Sequence, residues 1–99
     1  MKLTMTNKDH IARLIAEEAY KLPATTNEDN IRYNQMLRIS EALENIGEVG
    51  SRFRKLTDLR HVKMPPVVVD EKENVIDANE TYFDALCKIV QSMATREAA

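Results

Sequence analysis

Apolar residues recur at helical spacing over three stretches of the chain, and two short β-branched runs separate the second stretch from the third. From Thr6 to Leu22, the residues Ile11, Leu14, Ile15, Ala19 and Leu22 fall on one side of a helix, with Lys8, Arg13, Glu17 and Lys21 on the other. Thr6 followed by Asp9 suits the start of that helix, because a hydroxyl accepts from an orphan amide and a carboxylate favours the positive helix end. Pro23 closes the segment.

A second helix is expected after Thr25, which stands three residues before Glu28 as in a capping box. Met36, Ile39, Leu43, Ile46, Gly50 and Phe53 then alternate in steps of three and four, the spacing of a seam packed along another helix. Run without a break to Val62, this helix would have about 35 residues and outreach a domain of this size. Glycine weakens a helix interior by about 1 kcal/mol relative to alanine, so a break is expected between Ile46 and Gly50, where Gly47 and Gly50 stand.

The period changes after Met64. Val67 to Val69 and Val75-Ile76 flank a charged turn, which predicts a short β-hairpin at about residues 66–77. Asp77 with Glu80 is expected to cap a last helix whose Tyr82, Phe83, Leu86, Ile89, Val90 and Met93 face inward, while Asp84, Lys88 and Gln91 face water. The fold class is therefore mainly α: a three- to four-helix domain with a short hairpin before the last helix, forming one domain over residues 1–99.

Residues 66–90 resemble two families in their strand, acidic turn, strand and helix order. One is the opening of PAS sensor domains, where an Asn such as Asn79 begins the first helix; the chain carries too little sequence after this point for the complete sensor fold. The other is the segment of ParB-like nuclease and partition domains that leads into a Gly-His-x-Arg box. Ala78-Asn79-Glu80-Thr81 stands in that place, without the glycine and arginine that would approach phosphate, so no nucleotide chemistry carries over.

Composition narrows the class. Leu, Ile, Val and Phe make up 24 of the 99 residues, enough for a folded core. The longest apolar runs fall far short of a membrane span, and the start MKLTMTNKDH lacks the apolar stretch of a signal peptide, so a cytoplasmic protein without membrane attachment is expected. The single cysteine, Cys87, fits a reducing compartment. Its place beside Leu86 and Ile89 suggests a buried, unreactive thiol. His10 and His61 lack metal-ligand spacing, and no phosphate loop or nucleophile-base pair is legible, so neither cofactor, metal site nor catalysis is expected.

Charge is uneven even though the net is only −2. Residues 51–63 carry Arg52, Arg54, Lys55, Arg60 and Lys63 against Asp58, whereas residues 64–99 carry three basic and seven acidic groups. The basic segment either meets an anionic partner or lies against the acidic C-terminal third of its own fold. The functional expectation is a non-catalytic protein–protein interaction module, a small accessory or regulatory factor that acts by occupying a partner's surface. It is expected to form a homodimer through Met36, Ile39, Leu43, Ile46 and Phe53. The alternative is a small nucleic-acid-binding regulator in which residues 31–61 form a helix-turn-helix-like segment and Arg52, Arg54, Lys55, Arg60 and Lys63 contact phosphate.

Overall fold

The computed structural model describes residues 3–23, 25–68, 72, 75–77 and 79–98. In chain order the elements are α1 (Lys8–Tyr20), α2 (Asn27–Asn45), a 3₁₀ helix (Leu56–Arg60), β1 (Val67–Val68), β2 (Val75–Ile76) and α3 (Tyr82–Ala98). The mainly helical class and the hairpin before the last helix are as the pattern predicts. β1 and β2 pair antiparallel, with Val67 opposite Ile76 and Val68 opposite Val75. Val67 turns into the protein while Val68 and Val75 stay exposed, the alternation a strand pair imposes.

The helix starts lie close to their expected places but are built by different residues. At α1, Thr4 and Asn7 exchange bonds: the Thr4 amide donates to Asn7 Oδ1 at 2.7 Å and the Asn7 amide to Thr4 Oγ1 at 3.2 Å. Thr6 lies exposed outside this exchange. At α2, Thr26 rather than Thr25 accepts from the Asp29 amide, at 3.1 Å, and Thr25 instead donates to the Asp29 carboxylate. At α3, Thr81 Oγ1 accepts from the Asp84 amide at 3.2 Å. Asp77 lies too far upstream to cap this helix, and its carboxylate accepts from the Asn79 amide at 2.8 Å. That bond supports Asn79 in the left-handed region at φ 51°.

α1 and α2 form an antiparallel hairpin that supplies half of the core. Ala12 and Ala19 are completely buried, and such small side chains let two helix backbones approach. Ser40 donates from α2 to the Ala12 carbonyl at 2.7 Å. Lys8, placed on the polar side by periodicity, is buried because its ammonium crosses to the end of α2, reaching the Glu44 carbonyl at 3.1 Å as well as Asp9 at 2.8 Å. A cation there satisfies a carbonyl at the negative end of the helix.

One hydrophobic cluster unites this hairpin with Phe53, Leu59 and Met64 and with Tyr82, Ala85, Leu86 and Ile89 of α3. Met36, Ile39, Leu43, Ile46 and Phe53 all belong to it. The seam read as a homodimer interface is therefore covered by the chain's own α1, loop and α3. A stripe of this length can be satisfied intramolecularly because α2 stops at Asn45 and the chain folds back over it.

The stop is sharp. Ile46 leaves the helix with an extended ψ of 124°, and Gly47 and Gly50 follow at φ 85° and 87°. The Gly47 amide then donates to the Phe53 carbonyl at 2.9 Å, closing the loop and turning Phe53 into the core. There its ring meets Tyr82 edge-on, with centroids 4.9 Å apart and planes at 66°.

Two outcomes follow for stability. Open space surrounds the missing Cβ at both glycines, so Gly47→Ala and Gly50→Ala should each cost about 1 kcal/mol or slightly more through backbone strain alone. Urea titration of the two variants would measure this, and equal stability to the parent would contradict the left-handed geometry. Leu43→Asp, by contrast, introduces a charge at a fully buried position and should cost more than about 4 kcal/mol. Circular dichroism should show loss of the helical fold rather than a folded protein of altered oligomeric state.

Candidate binding surface

Residues 51–63 begin at the closed loop and end welded to the start of α3. Met64 donates from its amide to the Glu80 carbonyl at 2.9 Å, and the Tyr82 amide donates to the Val62 carbonyl at 3.0 Å, around the antiparallel bridge of Lys63 with Thr81. The stretch between is an irregular path around the 3₁₀ helix. Leu59 is buried and Leu56 half-buried. No α-helix forms over residues 51–61. This removes the recognition helix on which the helix-turn-helix reading depended. Two left-handed glycines with Phe53 pinned inward leave no room for a second α-helix to start at Ser51.

Asp58 organises the turn. Its Oδ2 accepts from the Arg54 amide at 2.9 Å and from the Lys55 amide at 3.2 Å. These two bonds, the Arg54 one foremost, hold its carboxyl below the usual carboxylate range, with smaller help from the Lys55 and His61 charges. The one acid of the basic segment is thus engaged with backbone, and its neighbours keep their charge.

Arg52, Arg54, Lys55, Arg60 and Lys63 are all exposed. Among the described residues, the segment meets the C-terminal third by contacts other than ion pairs. The Arg60 guanidinium sits 4.4 Å over the Phe83 ring, and Lys63 donates to the Asn79 side-chain oxygen at 2.8 Å. Neither contact neutralises charge. The salt bridges among the described residues join Lys8 to Asp9, Lys21 to Glu18 and Lys88 to Glu80, and none involves these five cations. The buried acid just before α3 is used elsewhere: Glu80 accepts from Gln35 Nε2 at 2.8 Å and from Lys88 Nζ at 2.7 Å, tying the start of α3 to α2.

Arg38 joins the same side of the molecule. It lies exposed on α2 and, together with Arg52 and Lys63, lines a cleft of about 650 Å3 floored by Phe53 and Tyr82. Arg38 stands outside the basic run of residues 51–63, and its place in the sequence offers no sign of this company. Its position i, i+3, i+7 relative to Glu41 and Asn45, both also on the cleft wall, is the only sequence signal that could have grouped them.

Cys87 is exposed, contrary to the buried thiol expected from its neighbours. It sits at the edge of the α3 stripe, beside an apolar groove of about 280 Å3 lined also by Leu3, Ile11, Phe83 and Val90. The core takes Leu86 and Ile89, and Cys87 lies about a quarter-turn round from Leu86 toward solvent. Among the described residues, no group of three or more His, Cys, Asp or Glu side chains could hold a metal ion. No described helix is long and apolar enough to cross a membrane. No protein-family model, curated protein or solved structure matches the chain.

The bracing by Asp58 sets a pH dependence. A carboxyl whose folded pKa is depressed adds stability above its ordinary value, about 4, and loses it as pH falls through the lower folded value. Protection of the Arg54 and Lys55 amides from hydrogen exchange should therefore be complete at neutral pH and decline below about pH 4. Asp58→Ala should abolish that protection at neutral pH while leaving the helical signal intact.

Proposed function

We propose that this chain is a non-catalytic interaction module, a small accessory or regulatory factor that engages an acidic protein surface through Arg52, Arg54, Lys55 and Lys63. The observation that carries this reading is that the exposed cations of residues 51–63 form no salt bridge among the described residues, on a segment whose backbone is braced at both ends. Leaving several like charges unpaired costs self-repulsion, which an anionic partner would relieve. Arginine and lysine carry fixed charge at neutral pH, so the surface suits binding rather than proton transfer.

A protein partner is favoured over nucleic acid. The chain as a whole is acidic, with a pI of about 5.7, whereas nucleic-acid-binding domains carry a net positive charge. The buried seam offers nothing to a second copy, so the proposed partner is a different protein. The exposed free thiol of Cys87 supports a cytoplasmic location, where the glutathione pool keeps such groups reduced.

Affinity capture from the native host, with and without nuclease, tests this reading when wild type is compared with the Arg52→Glu, Arg54→Glu, Lys55→Glu triple variant. These three side chains are exposed, so the fold should survive their reversal. A protein partner should persist after nuclease and weaken by about tenfold or more in the variant and in high salt, since each exposed pair contributes up to about 1 kcal/mol. Loss of the captured material on nuclease treatment, or equal capture by the variant, would refute it.

A further inference from the structure

The cleft beside the basic segment combines features that an open basic surface lacks. It is lined by Arg38, Glu41 and Asn45 of α2, by Glu48 and Arg52 of the loop that follows, and by Lys63. The floor is the edge-to-face pair of Phe53 and Tyr82, both largely buried yet lining the cavity. Its volume of about 650 Å3 lies within the usual range for ligand sites and suits a few side chains rather than a folded surface.

The charges lining the cleft are mixed but uncombined. Arg38, Glu41, Glu48 and Arg52 form no ion pair with one another or with any other described residue, and Lys63 is bound to the neutral Asn79 amide. Guanidinium groups in this state keep their full fork of donors for an incoming carboxylate. The loop wall is set in advance by the Gly47 to Phe53 bond and by the Ser51 hydroxyl, which accepts from the Phe53 amide at 3.1 Å, so little ordering is needed on binding.

We propose that this cleft is a docking site for a short, extended acidic segment of a partner protein. Carboxylates of the segment meet Arg38, Arg52 and Lys63, and an apolar side chain rests on the Phe53–Tyr82 floor. This deepens the reading of an acidic protein partner and rests on it. The two glutamates favour a peptide over a nucleic acid here: backbone amides between the peptide's carboxylates can donate to Glu41 and Glu48, whereas a phosphodiester backbone has no such donors.

The test uses the full chain and a fluorescein-labelled hexapeptide of alternating glutamate and leucine, with glutamine replacing glutamate in one control and an oligothymidine as another. Anisotropy titrations should show binding of the glutamate peptide alone, and amide shifts should concentrate at Gly50, Phe53 and Tyr82. Arg38→Glu, outside the basic segment, and Arg52→Glu should each weaken binding by about tenfold, while Arg54→Glu, outside the cleft, should change it less than about twofold. Equal binding of the glutamine peptide, tighter binding of oligothymidine, or shifts spread over residues 54–60 with Arg54→Glu as damaging as Arg38→Glu would overturn the cleft assignment. The last of these outcomes leaves the broader reading of an acidic partner standing, which the capture experiment decides separately.

Discussion

Closure of α1 onto α2 is the constraint from which the rest of the molecule follows. Ala12, Ile15 and Ala19 on one side and Met36, Ile39 and Leu43 on the other are almost wholly removed from water. The Ser40 hydroxyl and the Lys8 ammonium satisfy backbone carbonyls across the same interface. Burial of such side chains is the dominant favourable term in folding, and the two polar links add direction that apolar contact lacks. Because α2 spends its apolar side inward, Arg38, Glu41 and Asn45 are left exposed beside the returning chain. The wall of the candidate cleft is therefore a by-product of core formation.

The second requirement is the reversal after Ile46. Phe53, Leu59 and Met64 can reach the core only if the chain turns back immediately, and left-handed backbone at Gly47 and Gly50 makes that turn without steric cost. The same reversal lifts Val49 fully into solvent and stacks the charged residues after it on the outside. Asp58 then bonds backbone amides instead of its basic neighbours. Positive charge survives on this surface because the local acid is occupied in making the turn, while Glu80 is occupied in joining α3 to α2. Stability and candidate function are coupled through that division of the carboxylates.

The molecule is thin, about 38 × 35 × 18 Å. Its short dimension corresponds to about two packed layers of secondary structure, so each element keeps one face toward solvent. Such a shape presents broad surface for its mass and leaves shallow clefts where elements meet at the rim, which is where Arg38, Arg52 and Lys63 come together.

Much of this was already determined by the sequence alone. Three helices and a hairpin follow from residue periodicity, and the break at Ile46–Gly50 follows from two glycines, because these depend on interactions within a few residues of one another. The five cations of residues 51–63 are equally legible, since charge density is a local property. Helix caps were displaced by one to four residues, for Thr, Asn and Asp compete for the same amides and only the folded chain ranks them. What covers the Met36 to Phe53 stripe, whether Cys87 faces inward, and which cations share a cavity were decided by tertiary structure. Periodicity specifies that a face is apolar and is silent on what meets it. Arg38 and Lys63 lie 25 positions apart and share a cleft only because α2 ends where it does and the chain returns along it.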